Sequence, residues 1–134
     1  DTSAAMILLF GDRNCFAYSA DIYGVAVERG LMPKEVEERQ LKNLKHHYET
    51  ISPDHLKETL LIDGGLVAMQ LMLVAREHGY DTNAIGGFKK ELLAEAFNMD
   101  AARYVPIMIV SIGKAVEAGF PSVRLPIEKI TEWV

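Results

Sequence analysis

The chain has one cysteine, Cys15, in 134 residues. A lone thiol excludes an internal disulfide framework and points to a reducing compartment, so a cytoplasmic location is expected. No His or Asp stands in a recognisable relation to Cys15, which is read as a buried, inert thiol rather than a nucleophile. Basic excess is also missing: 14 Lys and Arg face 19 Asp and Glu, for a formal net charge of −5. A duplex-binding surface would show a basic patch, so no nucleic-acid partner is expected. The mixed-sign run from Lys34 to Lys45 reads as a solvated helix face. No apolar run is long and unbroken. The longest, Leu60 to Ala75, is interrupted by Asp63, Gly64, Gly65 and Gln70 and falls short of bilayer length, so no membrane partner is expected.

Chemistry-bearing constellations are scarce as well. His46 and His47 are adjacent and diverge by about 100° on a helix, so they do not share a metal. His55 and His78 have no ligand partner at useful spacing, and no metal site is expected. A phosphate loop, a serine elbow and paired catalytic carboxylates are all absent from the pattern. No side chain is therefore assigned a catalytic role.

What is present is the composition of one ordinary globular domain, residues 1–134, with 49% hydrophobic and 25% charged residues. The apolar run Ala4 to Phe10, stopped by Gly11-Asp12, reads as a strand buried on both faces. A short helix follows between Cys15 and Arg29, ending at Gly30. Pro33 opens a second helix at a favoured first-turn position. Its apolar side is thin (Val36, Leu41, Leu44, Tyr48), so it belongs on the surface, as a flap. Ser52-Pro53-Asp54 is a helix start, and that helix runs to about His78 with Gly79 as its stop. From Leu60 onward it is apolar nearly all round, the mark of a helix buried on most sides, within a domain or between subunits. Gly64-Gly65 in its interior costs about 1 kcal/mol per glycine relative to Ala. A packing notch is the leading reading of that pair, and close approach of a ligand the alternative.

Asp81 to Ile85 is a short strand ending in Gly86-Gly87. A short amphipathic helix lies within Lys89 to Asn98. Val105 to Ile112 is a second buried strand, with Pro106 at its start, where a missing N–H is tolerated. Ala115 to Pro126 reads as an irregular tail and Ile127 to Val134 as extended. The class is mixed α/β with more helix than strand.

Two places could meet a ligand. Gly86-Gly87 lacks both Cβ atoms and permits positive φ, and a helix N-terminus follows it, so free N–H groups would face a planar cofactor edge. A tight turn is the plain alternative. Ser122 and Arg124 fall on one side if that stretch is extended, and a guanidinium with a hydroxyl suits a phosphate. A surface arginine is the plain alternative there. Phe16, Tyr18, Tyr23 and Tyr48 are read as core packing before pocket lining.

In order along the chain, these pieces resemble the nitroreductase family. Asp63 to Ala75 resembles its long central helix. Gly79-Tyr80, Ile85-Gly86-Gly87-Phe88, Leu92-Leu93 and Phe97-Asn98-Met99 resemble its helix–turn–strand–helix segment. Val105 to Gly113 resembles its last core strand, and Arg124-Leu125-Pro126 its C-terminal phosphate-contacting motif. The resemblance implies an α+β fold: a mixed, mostly antiparallel sheet flanked by helices, with a long buried central helix. It implies a homodimer with FMN at the interface. It also implies ping-pong hydride transfer from NAD(P)H to a nitroaromatic, quinone or similar acceptor. Ile85, Gly86 and Gly87 would meet the isoalloxazine edge, and Arg124, with Ser122, the phosphate. Some relatives carry an acidic residue at the position of Gly86 and a lysine at that of Ser122. The family's front motifs, Arg-Arg-Ser-x-Arg and Ser-Ser-x-Asn-x-Gln, have no counterpart here. The chain is thus expected to be the C-terminal portion of a longer one. The alternative is a flavin-free dimer of the same fold acting as a binding or regulatory module.

Overall fold

The structure, a computed structural model, describes residues 3–134; Asp1 and Thr2, where the sequence opens, lie outside the described residues. Three strands form one antiparallel sheet in the order β1 (Ala5–Asp12), β3 (Tyr104–Gly113), β2 (Asp81–Ile85). Four helices accompany it among the described residues: α1 (Ser19–Glu28), α2 (Lys34–Thr50), α3 (Pro53–Glu77) and α4 (Lys90–Ala96). This is the expected α+β class. β3 is central, but β2 pairs only with Ile109 to Gly113. Around Pro106, β3 therefore has one neighbour, β1, and the register with β1 shifts between Leu9 and Phe10. A proline is tolerated beside such an irregularity, where the ladder is already interrupted.

α3 lies across this sheet. Ser52 Oγ accepts from the His55 N–H at 3.2 Å, and Pro53 occupies the first turn. At its other end Gly79 takes φ +75°, and the Tyr80 N–H reaches back to the Ala75 carbonyl at 2.9 Å. That closure satisfies a carbonyl the helix leaves free, and it needs the left-handed residue. The sheet-facing stripe is Leu60, Gly64, Ala68 and Ala75, all buried. A Cβ at Gly64 would sit 2.2 Å from Ile107 Cδ1. Gly64 is thus the packing notch, through which α3 and β3 approach closely. Gly65 has nothing within 4 Å of its Cβ position.

Several expectations change. The burial of α3 and β1 on most sides does not occur within one chain. Ile62, Leu66, Met69 and Leu73 of α3 are exposed, and Ile7 to Phe10 of β1 are half-buried because β1 is an edge strand. By length and composition α3 qualifies as a candidate membrane span, contrary to the expectation that no segment would. Its small-residue stripe against the sheet is instead the packing of a domain helix. Pro33 is the residue before α2 rather than its first, with extended ψ of 150°. Ile127–Lys129 is a 3-10 turn, so the expected extended stretch Ile127 to Val134 is not extended at its start.

α1 and α2 form a hairpin that packs chiefly on itself and on a 3-10 turn at Cys15–Tyr18. The thin apolar side of α2 is as expected, with Val36, Leu41, Leu44 and Tyr48 half-buried. Glu37 was not foreseen: it is 5% exposed and takes its counter-charge from Lys34 one turn earlier. The hairpin's root is polar. Arg103 holds Asp12 through two bonds, Nε to Oδ1 at 2.8 Å and Nη2 to Oδ2 at 2.7 Å, and also donates to the Tyr18 hydroxyl at 3.0 Å. Arg13 Nη1 donates to the Pro53 carbonyl at 3.1 Å.

Candidate functional site

Ile85 ends β2, half-buried and paired with Ile109, and so fixes where the following turn begins. Gly86 and Gly87 are exposed, and nothing lies within 4 Å of either Cβ position. Neither uses positive φ, since the glycines with positive φ are Gly30 and Gly79. The two glycines thus serve access here rather than backbone conformation. Among the described residues their amides carry none of the turn, loop or cap hydrogen bonds. A flat group could come to backbone contact with this turn. The expected helix N-terminus is not part of it. α4 has only seven residues and begins at Lys90, with Phe88 and Lys89 intervening. Two cations, Lys89 and Lys90, stand in its place, with Lys90 Nζ 6.0 Å from the Phe88 ring centroid. Their adjacency to the double glycine was visible in the sequence, but mixed-sign helix starts are too common to single it out.

Ser122 and Arg124 lie on the exposed C-terminal arm, residues 114–134. Among the described residues Arg124 donates only to the neighbouring Val123 carbonyl, at 3.2 Å, which leaves its fork open to an anion. Within one chain these two residues are not brought together with Ile85, Gly86 and Gly87 by any contact among the described residues.

The aromatics expected as core form part of the hairpin's interior. Phe16 and Tyr48 have ring centroids 5.7 Å apart. Cys15, half-buried rather than fully buried, shares a hydrogen bond between its Sγ and the Tyr48 hydroxyl at 3.2 Å. That bond, burial and the charges of Cys15 and Asp63 push the Tyr48 phenol up to about 12. Tyr18, by contrast, is 49% exposed. The hydrogen bonds from Arg103 lead the causes that hold the Asp12 carboxyl below its ordinary value. No group of three or more His, Cys, Asp or Glu placed to hold a metal occurs among the described residues.

Residues 12–114 match the model of the nitroreductase family, and the chain belongs to that family. It is 55% identical over 132 residues to YdgI of Bacillus subtilis (strain 168), which carries a provisional NAD(P)H nitroreductase name; the match covers 98% of this chain and 63% of YdgI. It is 34% identical to the CLA biosynthesis enone reductase of Lactiplantibacillus plantarum, across 100% of this chain and 62% of that protein. A crystal structure from Exiguobacterium sibiricum, provisionally named a nitroreductase and in complex with FMN, superposes with a TM-score of 0.93. Its identity is 56%, covering 98% of this chain and 62% of that one. The chain thus spans less than two thirds of the length of each of these relatives.

Proposed function

We propose that this chain is the core of an FMN-dependent NAD(P)H oxidoreductase. The observation that carries the reading is the open Gly86-Gly87 turn at the end of β2, in a member of the nitroreductase family similar to an FMN-complexed structure. Ile85, Gly86 and Gly87 would hold the isoalloxazine edge, their free amides facing ring nitrogens and carbonyls. Arg124 would hold the phosphate by its fork, and Ser122 would add a hydroxyl donor. Bound there, FMN would supply hydride transfer, from NAD(P)H to a nitroaromatic, quinone or related electrophile in a ping-pong sequence. The side chains bind and orient, which agrees with the lack of an acid–base pair.

The working form is a homodimer, with the flavin at the interface. Leu66 is 67% exposed and Leu73 59%, on one face of α3, and Phe120, Val123 and Trp133 of the arm are fully or nearly fully exposed. Apolar surface of that extent on a soluble domain marks an interface. A second copy would also supply the Arg124 that one chain does not bring to its own Gly86-Gly87 turn. The cytoplasm is the proposed location.

Purification of the whole protein tests this. Bound flavin absorbance, and NAD(P)H oxidation driven by a nitroaromatic or quinone with parallel double-reciprocal lines, are the expected results. A colourless protein that does not take up added FMN would reject the flavin reading and favour the binding-module alternative.

A further inference from the structure

The C-terminal arm leaves the body at a single polar junction. β3 ends at Gly113, which pairs with Asp81, the first residue of β2. Two residues later the Ala115 N–H donates to Asp81 Oδ2 at 3.0 Å. The other oxygen, Oδ1, accepts from Arg76 Nη1 in the last turn of α3. Lys114, between them, has its ammonium 5.7 Å from the Tyr80 ring centroid. The end of α3, the start of β2 and the first residues of the arm therefore meet on one carboxylate.

Beyond this junction the arm is untethered among the described residues. Residues 114–134 are all exposed. Their remaining hydrogen bonds are local: Arg124 to Val123, Lys129 to Pro126, Ile130 to Ile127. The direction in which the arm departs is then set where it starts. A carboxylate clamped by a guanidinium is itself oriented, and its charge strengthens the bond it accepts from the Ala115 amide.

We propose that Asp81 is a positioning residue for phosphate recognition: by holding the Ala115 amide it aims the arm, and so determines where Arg124 arrives. The proposal rests on the reading of Arg124 as a phosphate ligand. With the junction released, the arm would explore more directions before the guanidinium engages, and that ordering cost would fall on the phosphate-bearing ligand alone. The isoalloxazine contacts at Ile85 to Gly87 lie at the opposite end of β2 and would be untouched.

The test measures dissociation constants of FMN and riboflavin for the whole apoprotein, as wild type, Asp81→Ala, Asp81→Asn and Arg124→Gln. Wild type should prefer FMN. Asp81→Ala should reduce that preference about tenfold while riboflavin affinity stays within about twofold, the scale of ordering one anchored side chain. Asp81→Asn keeps an oxygen for the Ala115 N–H and should recover most of the preference. On the Arg124→Gln background, Asp81→Ala should cost nothing further. The proposal is overturned if Asp81→Ala retains the full preference, if both flavins weaken together, or if the loss persists without Arg124. A wild type that prefers FMN alongside an unaffected Asp81→Ala would discard Asp81 alone. A wild type that binds neither flavin would discard the flavin reading, and Asp81 with it.

Discussion

The two faces of α3 solve opposite problems with the same helix. Toward the sheet it presents Leu60, Gly64, Ala68 and Ala75; away from it, Ile62, Leu66, Met69 and Leu73. Past Leu60 the inner face narrows to small residues because the sheet lies close there: Ala68 is fully buried, and at Gly64 even a methyl would collide with Ile107. The outer face is built from large ones and has nothing to bury them against. Apolar character alone therefore does not say which side of a helix packs. Size does, since small residues record a neighbour already close and large ones require a neighbour still to come.

The comparison is broken most severely by filling the notch. Gly64→Val should cost about 3 kcal/mol in urea unfolding, because Ile107 Cδ1 and Cγ2 both lie within reach of the new carbon and the surrounding core has little room to yield. Trimming the obstacle should return part of that, so Ile107→Ala and Gly64→Val should be strongly non-additive. Additive losses would mean that the inner face is not held by this contact.

On the outer face the effect should appear in assembly. Leu66→Asp with Leu73→Asp should convert the proposed dimer to monomer in sedimentation, each change weakening association by about 2 kcal/mol if it lies at the centre of the interface. Far-UV circular dichroism should be unchanged, because both side chains already face solvent in the single chain. A double variant that remains dimeric would place the interface elsewhere.

The Asp12–Arg103 pair ties the end of β1 to the start of β3, and Arg103 reaches the base of the α1–α2 hairpin through the Tyr18 hydroxyl, so acid is expected to loosen that base first. Asp12 is held below its ordinary value chiefly by its hydrogen bonds from Arg103. A carboxyl depressed in the folded state contributes stability above its unfolded value, near 4, and loses it as pH falls through the lower folded value. Hydrogen exchange should show residues 13–52 opening in that acid window before the Leu60–Ala75 stretch of α3. Asp12→Asn should open the hairpin at neutral pH and remove its acid dependence. Simultaneous opening of hairpin and α3 would show that they are one cooperative unit.

Much of this fold was legible because local chemistry dictates it. Ser52-Pro53 starts α3, Gly79 ends it, and the short strand expected before Gly86-Gly87 is there. The candidate site was legible by type but not by conformation. A double glycine permits positive φ, yet nothing in the letters says whether it is used, and here it is not. In the single chain β1 is an edge strand and α3 keeps one face exposed, because the sequence reports what wants burial, not what supplies it. The Asp12–Arg103 pair spans 91 positions and leaves no local signal. Asp81 was passed over as an ordinary strand-start residue, although Arg76 five positions earlier was a hint that its charge has a partner.

The smallest effect is the most discriminating, because it compares two adjacent and identical residues. Gly65 has open space where Gly64 has Ile107. If single-chain packing were the whole account, Gly65→Ala would relieve the backbone entropy of a mid-helix glycine and stabilise by about 0.5–1 kcal/mol. In a dimer built on the outer face of α3, the result depends on how closely the second copy approaches. We expect the full gain in thermal unfolding of the whole protein, since the large residues at Leu66 and Met69 stand between Gly65 and anything docked on that face. A loss instead would mean that a second backbone comes as near to Gly65 as β3 does to Gly64. The outer face would then carry a notch of its own, and the contrast between the two sides of α3 would be one of occupancy alone.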